Sequence, residues 1–220
     1  DWSSDVCSSD LPVERLVAGL PASLAALDAD GWDLAAEGIM TTDTRPKGAS
    51  RRMVLDGVPV TISGIAKGAG MIKPDMATML CFVATDACID RVVLDAMLAR
   101  AVDASFNAIT VDGDTSTNDA CILAATCTAD MPGITDADDP RRALFEEALQ
   151  SLFIELAQAI IRDAEGATKF VAVEVTGGRS REECRRVAYA VAESPLVKTA
   201  LFASDPNWGR ILAEIGRAHV

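Results

Sequence analysis

The sequence predicts an α/β layered domain, a mixed β-sheet packed with helices. Three observations carry this. Short runs rich in Val, Ile and Thr alternate with longer segments whose apolar residues recur at helical spacing. Turn and cap residues stand at most of the junctions. Half of the 220 residues are hydrophobic but only 5% are aromatic, so the core must be built from Ala, Val, Leu and Ile.

Taken in order, Pro12 to Asp30 places Val13, Leu16, Val17, Leu20, Leu24 and Leu27 at helical spacing, with Pro12 at entry and Gly31 at exit. Pro21 falls inside, predicting a short helix, a break and a further turn. MTTDT at Met40 to Thr44 is a hydroxyl-rich step that reads as a strand end with Thr41 exposed. Arg51 to Leu55 and Val58 to Ile65 read as two strands around an Asp56-Gly57 turn. Met79 to Thr85 reads as a strand and 90 to 104 as a helix capped by Asp90, with Val93, Met97 and Ala101 on one face. Ala120 to Thr126 is expected as a buried strand. Asp139-Pro140 opens a helix to about Asp163 with a stripe of Phe145, Leu149, Leu152, Leu156 and Ile160. Glu165-Gly166 turns the chain into an expected strand from Lys169 to Thr176. Ser180 and Glu183 form a capping box for a helix to about Ala192. The segment from Ser194 to Leu212 mixes apolar and turn residues and receives no assignment.

A formal charge of -13 argues against nucleic acid or an anionic membrane surface as partner, since both select basic patches. No apolar run reaches the roughly 18 residues of a spanning helix. The six cysteines form no C-x-x-C pair and there is one histidine, so zinc spacing is absent. Cys81, Cys121 and Cys127 read as small buried hydrophobes, and a reducing cytoplasm is the default compartment. Asp112, Asp114 and Ser116 open like a calcium loop, but Thr117 and Leu123 stand where the glycine and glutamate are required, which excludes it. Residues 1–11 and 217–220 resemble translated sequencing adapters and are expected to be non-native. Their exclusion removes His219 from any mechanism.

The stretch Gly64 to Leu80, GIAKGAGMIKPDMATML, lies between two β-type runs and is longer than a hairpin needs. It reads either as a built site or as a surface loop leading to a strand in which Thr78 merely packs. A threonine hydroxyl needs a base. Without a usable histidine, the economical base is the threonine's own α-amino group, whose pKa is about 7.7–8.0 once free. That requires the Ala77–Thr78 peptide to be cut.

KGAGMIKPDMATML resembles the self-cleavage motif of the ornithine acetyltransferase family, the bifunctional glutamate N-acetyltransferases of arginine biosynthesis. MTTDT, TVDGDTSTND at Thr110 to Asp119, and SPLVKTALFASDPNWGRILAEIG at Ser194 to Gly216 resemble the same family in the same order. The resemblance implies a mixed sheet between helices in an Ntn-hydrolase-like arrangement, self-cleavage between Ala77 and Thr78, and Thr78 as nucleophile. It further implies that Thr78 takes an acetyl group from N-acetylornithine and passes it to glutamate without any cofactor. Thr41, Lys67, Thr78 and Glu165 correspond to the family's substrate-binding positions. Lys73 is not required by the motif, and Asp112, Asp114 and Asn118 are assigned to loop architecture. Residues 12–77 would be the end of an α-chain region and 78–216 the start of a β-chain region of one precursor, assembling as two of each. The family's oxyanion hole lies upstream of Pro12 and two further binding residues beyond Val220, so the fragment by itself is expected to be inactive. An autoprocessed threonine amidase or aminopeptidase, and a catalytically inert fragment, are the alternative readings.

Overall fold

The computed structural model describes residues 12–73, 79–115 and 119–218. Pro21 does not break the first helix, contrary to expectation: α1 runs without interruption over Val13–Ala25. Proline removes one amide and crowds the preceding turn. Every described residue from Pro12 to Asp30 is exposed, so water can take the freed carbonyl. Gly31 proves to be the residue before a second helix, α2 (Trp32–Gly38), and not the stop of the first.

Asp56 and Gly57 turn the chain with φ of 49° and 85°, the pair of positive values that a two-residue hairpin of matching twist requires. The hairpin joins β1 (Lys47–Leu55) to β2 (Val58–Lys67), each longer at its outer end than the sequence suggests. β3 (Leu80–Thr85) pairs antiparallel with β2. The chain then crosses through α3 (Arg91–Ala104), capped by the Asp90 side chain on the Val92 amide, and a short 3-10 helix at Phe106–Ala108. It returns as β4 (Ala120–Ala125), parallel to β3, giving a mixed sheet of order β1-β2-β3-β4. One register line crosses the end of this sheet. Lys47 faces Ala66, the neighbouring Lys67 faces Leu80, and Leu80 faces Ala120.

α4 (Pro140–Arg162) packs on β1 and β2, with α3 against it, so the α/β layering expected from the sequence is present. Asp139 caps α4 by accepting the Arg141 amide at 2.9 Å, and Pro140 at its first position loses an amide that had no partner anyway. Its stripe of Phe145, Leu149, Leu152, Leu156 and Ile160 is fully buried. Each such side chain contributes about 1.5–3 kcal/mol by leaving water. Gly64 lets β2 approach its neighbours. A Cβ there would stand 2.7 Å from Val83 Cγ2 and 3.4 Å from Leu152 Cδ2.

Three helices complete the described chain: α5 (Arg181–Glu193), α6 (Pro195–Phe202) and α7 (Trp208–Ala218). Ser180 caps α5 on the Glu183 amide, while the Glu183 carboxylate reaches back one residue further than a capping box, to the Arg179 amide at 2.6 Å. This trio joins the sheet body through Arg185 on Asp103 and through Tyr189, whose hydroxyl lies 3.0 Å from the Asn107 carbonyl.

Three strand-related expectations need correction. Lys169 to Thr176 has the alternating valines of a strand but forms no ladder among the described residues; it lines a cavity of about 1070 Å³ together with α5, α6 and α7. Among the described residues β4 is an edge strand pairing only with β3, and Ile122 is half exposed instead of buried. Cys127, just beyond it, is exposed as well. Among the described residues no helix is long and apolar enough to cross a membrane.

Candidate active site

The MTTDT segment leads into β1 and is fastened from below by a buried ion network. Lys47, the first residue of β1, has a side chain 1% exposed, and its Nζ lies 2.5 Å from Asp43 and 2.6 Å from Asp163. Asp43 also accepts the Gly68 amide at 2.7 Å and the Thr41 amide at 3.2 Å. Burial pushes the Asp43 carboxyl up, but the Gly68 amide, the Lys47 ammonium and the Thr41 amide outweigh it and hold the group below its ordinary value. Asp163, at the C-terminal end of α4, accepts both the amide of Thr44, at 3.0 Å, and its hydroxyl. For Asp163 as well, burial is outweighed, by Lys47 and Thr44, and the carboxyl sits below the usual range.

Lys67 ends β2 on the register line described above. It is only 5% exposed, its Nζ lies 3.5 Å from Thr41 Oγ1, and no carboxylate among the described residues forms an ion pair with it. Thr41 itself is exposed, as expected. Across the sheet Lys67 faces Leu80, the second residue after Thr78 in the chain. Ala77 and Thr78 lie outside the described residues. The Met79 amide is donated to Asp119 at 2.5 Å. Burial raises the Asp119 carboxyl above its ordinary value against the opposing pull of that amide and of the Lys67 charge.

Glu165 reaches the loop that follows Lys67. Its amide donates to the Ala69 carbonyl at 2.8 Å, and its carboxylate lies over Gly70, where a Cβ would come within 2.7 Å of Oε2. The same loop is held from its other side by Asp112, which accepts the Met71 amide at 2.7 Å and the Ile72 amide at 3.1 Å, while the Val111 amide donates to the Ile72 carbonyl. Asp112 therefore builds the loop, as does the Asp114 amide that bonds back to it. Asn118 lies outside the described residues. Lys73 pairs with Glu193 at 2.9 Å, so its charge is answered within the chain.

A model of the ArgJ family matches residues 2–220. The chain belongs to the ArgJ family. The arginine biosynthesis bifunctional protein ArgJ of Pseudomonas syringae pv. tomato is 57% identical over 222 residues, covering all of this chain and 54% of its own length. Its counterpart in Pseudomonas fluorescens is 55% identical over 219 residues, with the same coverage. The chain thus spans about half the length of the curated relatives it matches. The crystal structure of the arginine biosynthesis bifunctional protein argJ from Bacillus halodurans superposes with a TM-score of 0.58 at 44% identity, over 60% of this chain and 62% of that one.

In this ArgJ-family chain the structure brings Thr41 and Lys67 into contact and sets Glu165, from the turn after α4, against the loop that follows Lys67. Four further residues belong to the same region: Asp43, Lys47, Asp119 and Asp163. Asp43 and Asp119 stand inside the MTTDT and TVDGDTSTND stretches, so the motifs contained them without marking their roles. Lys47 and Asp163 carry no local signal, since they meet across 116 residues of chain. The 1070 Å³ cavity is a separate feature: Glu165 lines it, whereas Thr41 and Lys67 do not, and its wall is rich in valines. Among the described residues no cluster of His, Cys, Asp or Glu is placed to hold a metal ion.

Proposed function

We propose that this chain is part of an enzyme of arginine biosynthesis that moves an acetyl group from N-acetylornithine to glutamate, with Thr78 as its nucleophile after the Ala77–Thr78 peptide is cut. The observation that carries this reading is Lys67, a buried ammonium in contact with Thr41 that forms no ion pair with a carboxylate among the described residues. A buried charge is costly unless paired. A ligand carboxylate is the natural complement, and both the acetyl donor and the acceptor are amino acids that carry one. Glu165, packed against the loop that follows Lys67, suits the ammonium of the same ligands.

The chemistry proceeds in two parts. The Thr78 hydroxyl attacks the Ala77 carbonyl, and the acyl group passes from nitrogen to oxygen, freeing the Thr78 amine. Water then opens the ester, leaving a carboxylate on Ala77. In turnover the freed amine takes the hydroxyl proton as the oxygen attacks the acetyl carbonyl of N-acetylornithine. The ornithine amine leaves with that proton. Glutamate's amine then attacks the acetyl-threonine ester and restores the hydroxyl, a two-stage exchange with ping-pong kinetics. The reading includes a cytoplasmic enzyme that needs no cofactor and assembles from two α and two β chains.

The test uses the full-length polypeptide that contains this segment. Terminal sequencing of the downstream product should begin Thr-Met-Leu-Cys, and Thr78→Ala should leave the chain uncut. A product beginning at any other residue refutes the reading.

A further inference from the structure

One buried ion network lies against the chain segments that carry Thr41, Lys67 and Glu165, yet no step of the proposed chemistry uses any of its members. Lys47 lies between Asp43 and Asp163, and the three side chains are 1%, 0% and 3% exposed. Each carboxylate also accepts backbone amides, and Asp163 has the Arg45 guanidinium 3.9 Å away as well. Asp43 holds the Thr41 amide and the amide of Gly68, the residue after Lys67. Asp163 holds Thr44 by amide and hydroxyl and stands two residues before Glu165. We propose that the Asp43–Lys47–Asp163 triad is the positioning device of the substrate site, setting Thr41, Lys67 and Glu165 relative to one another. This inference rests on the acetyl-transfer reading of that site.

The physical case is one of geometry more than of stability. Well-packed apolar residues often replace a buried ion triad without loss of stability, so a triad contributes chiefly where particular atoms must be fixed. Here the segments it fixes come from three remote parts of the chain: the approach to β1, the exit of β2 and the exit of α4. Asp43 is the group that ties the Gly68 amide to the Thr41 segment. Displacing a bound group by about 1 Å can cost a reaction on the order of 100-fold.

The experiment compares Asp43→Asn, Lys67→Ala and the double variant in the full-length enzyme, with processing checked by mass. Asparagine keeps the shape of Asp43 and one acceptor oxygen while removing the charge. In the processed enzyme, Asp43→Asn should raise KM for N-acetylornithine about tenfold or more. Because Asp43 fixes the backbone beside Lys67 as well as the Thr41 amide, the two changes should couple, the double variant losing clearly less than the product of the single losses. A lowered Tm with unchanged KM, or effects that simply multiply, would overturn the inference. Should Asp43→Asn fail to fold, Thr44→Val removes only the hydroxyl contact to Asp163 and keeps both ion pairs. It should raise KM about threefold, and an unchanged KM overturns the inference. If Lys67→Ala alone leaves KM unchanged, the site reading falls and the triad with it. If Lys67→Ala acts and Asp43→Asn is silent, only the triad falls.

Discussion

A buried ammonium needs an answering charge, and Lys47 and Lys67 meet that requirement in opposite ways. Lys47 has two carboxylates at ion-pair distance, whereas Lys67 has the hydroxyl of Thr41. The first is a fastening, and the second is the group that the proposed function assigns to a ligand carboxylate. In the processed full-length enzyme, Lys67→Ala should lower kcat/KM for N-acetylornithine by about 30-fold or more, since removing one partner of a buried charge pair costs about 2–5 kcal/mol. A solvated lysine would cost under about 0.5 kcal/mol, and a loss that small would remove Lys67 from the site. The triad gives a pH signature of known sign. Asp163 lies below the ordinary carboxyl value of about 3.9 when folded, so its stabilisation is complete above that value and is lost as pH falls through the lower folded one. Denaturant titrations should find Asp163→Asn least stable relative to its parent near neutrality, with the gap closing below about pH 4. A gap that widened in acid would contradict the ion-pair account.

At the scale of elements, α4 and the hairpin carry the fold, and Gly64 marks a point where β2 leaves no room for a side chain against β3. Gly64→Ala puts a methyl carbon against Val83, a side chain with little rotamer freedom. The expected loss is about 1–3 kcal/mol, and Val83→Ala in the same chain should recover part of it. Equal losses with and without the second change would place the strain elsewhere. Elements whose signals are local were legible in the sequence. The Asp56-Gly57 turn, the caps at Asp90, Asp139 and Ser180, and the α4 stripe all depend on residues within a turn or two of one another. Where a partner decides the outcome, the sequence misled. Alternation made Lys169 to Thr176 look like a strand, but a strand also needs a ladder. An apolar run made β4 look buried, but only its place in the sheet says that it is an edge. The site divides along the same line. Thr41, Lys67 and Glu165 could be named from motifs, while the bond between Lys47 and Asp163 is a product of folding.

The whole molecule is unequal in its packing. α4 is buried along one face, whereas no residue of α1 is buried. Hydrogen exchange on the 220-residue chain should therefore find α1 amides among the fastest and those of α4 and β2 among the slowest. Strong protection of α1 would show that it packs on something. The register line at the end of the sheet has a practical consequence. Lys47, Lys67, Leu80 and Ala120 all stand at one end, so the strands bring the candidate chemistry to a single rim. The opposite rim carries the Asp56-Gly57 turn, where Gly57 has nothing within 4 Å of a built Cβ. That turn is a handle: a reporter group there sits a strand's length from the candidate site and, since Asp56 lies 3.4 Å from Arg141 at the start of α4, would report the docking of hairpin on helix.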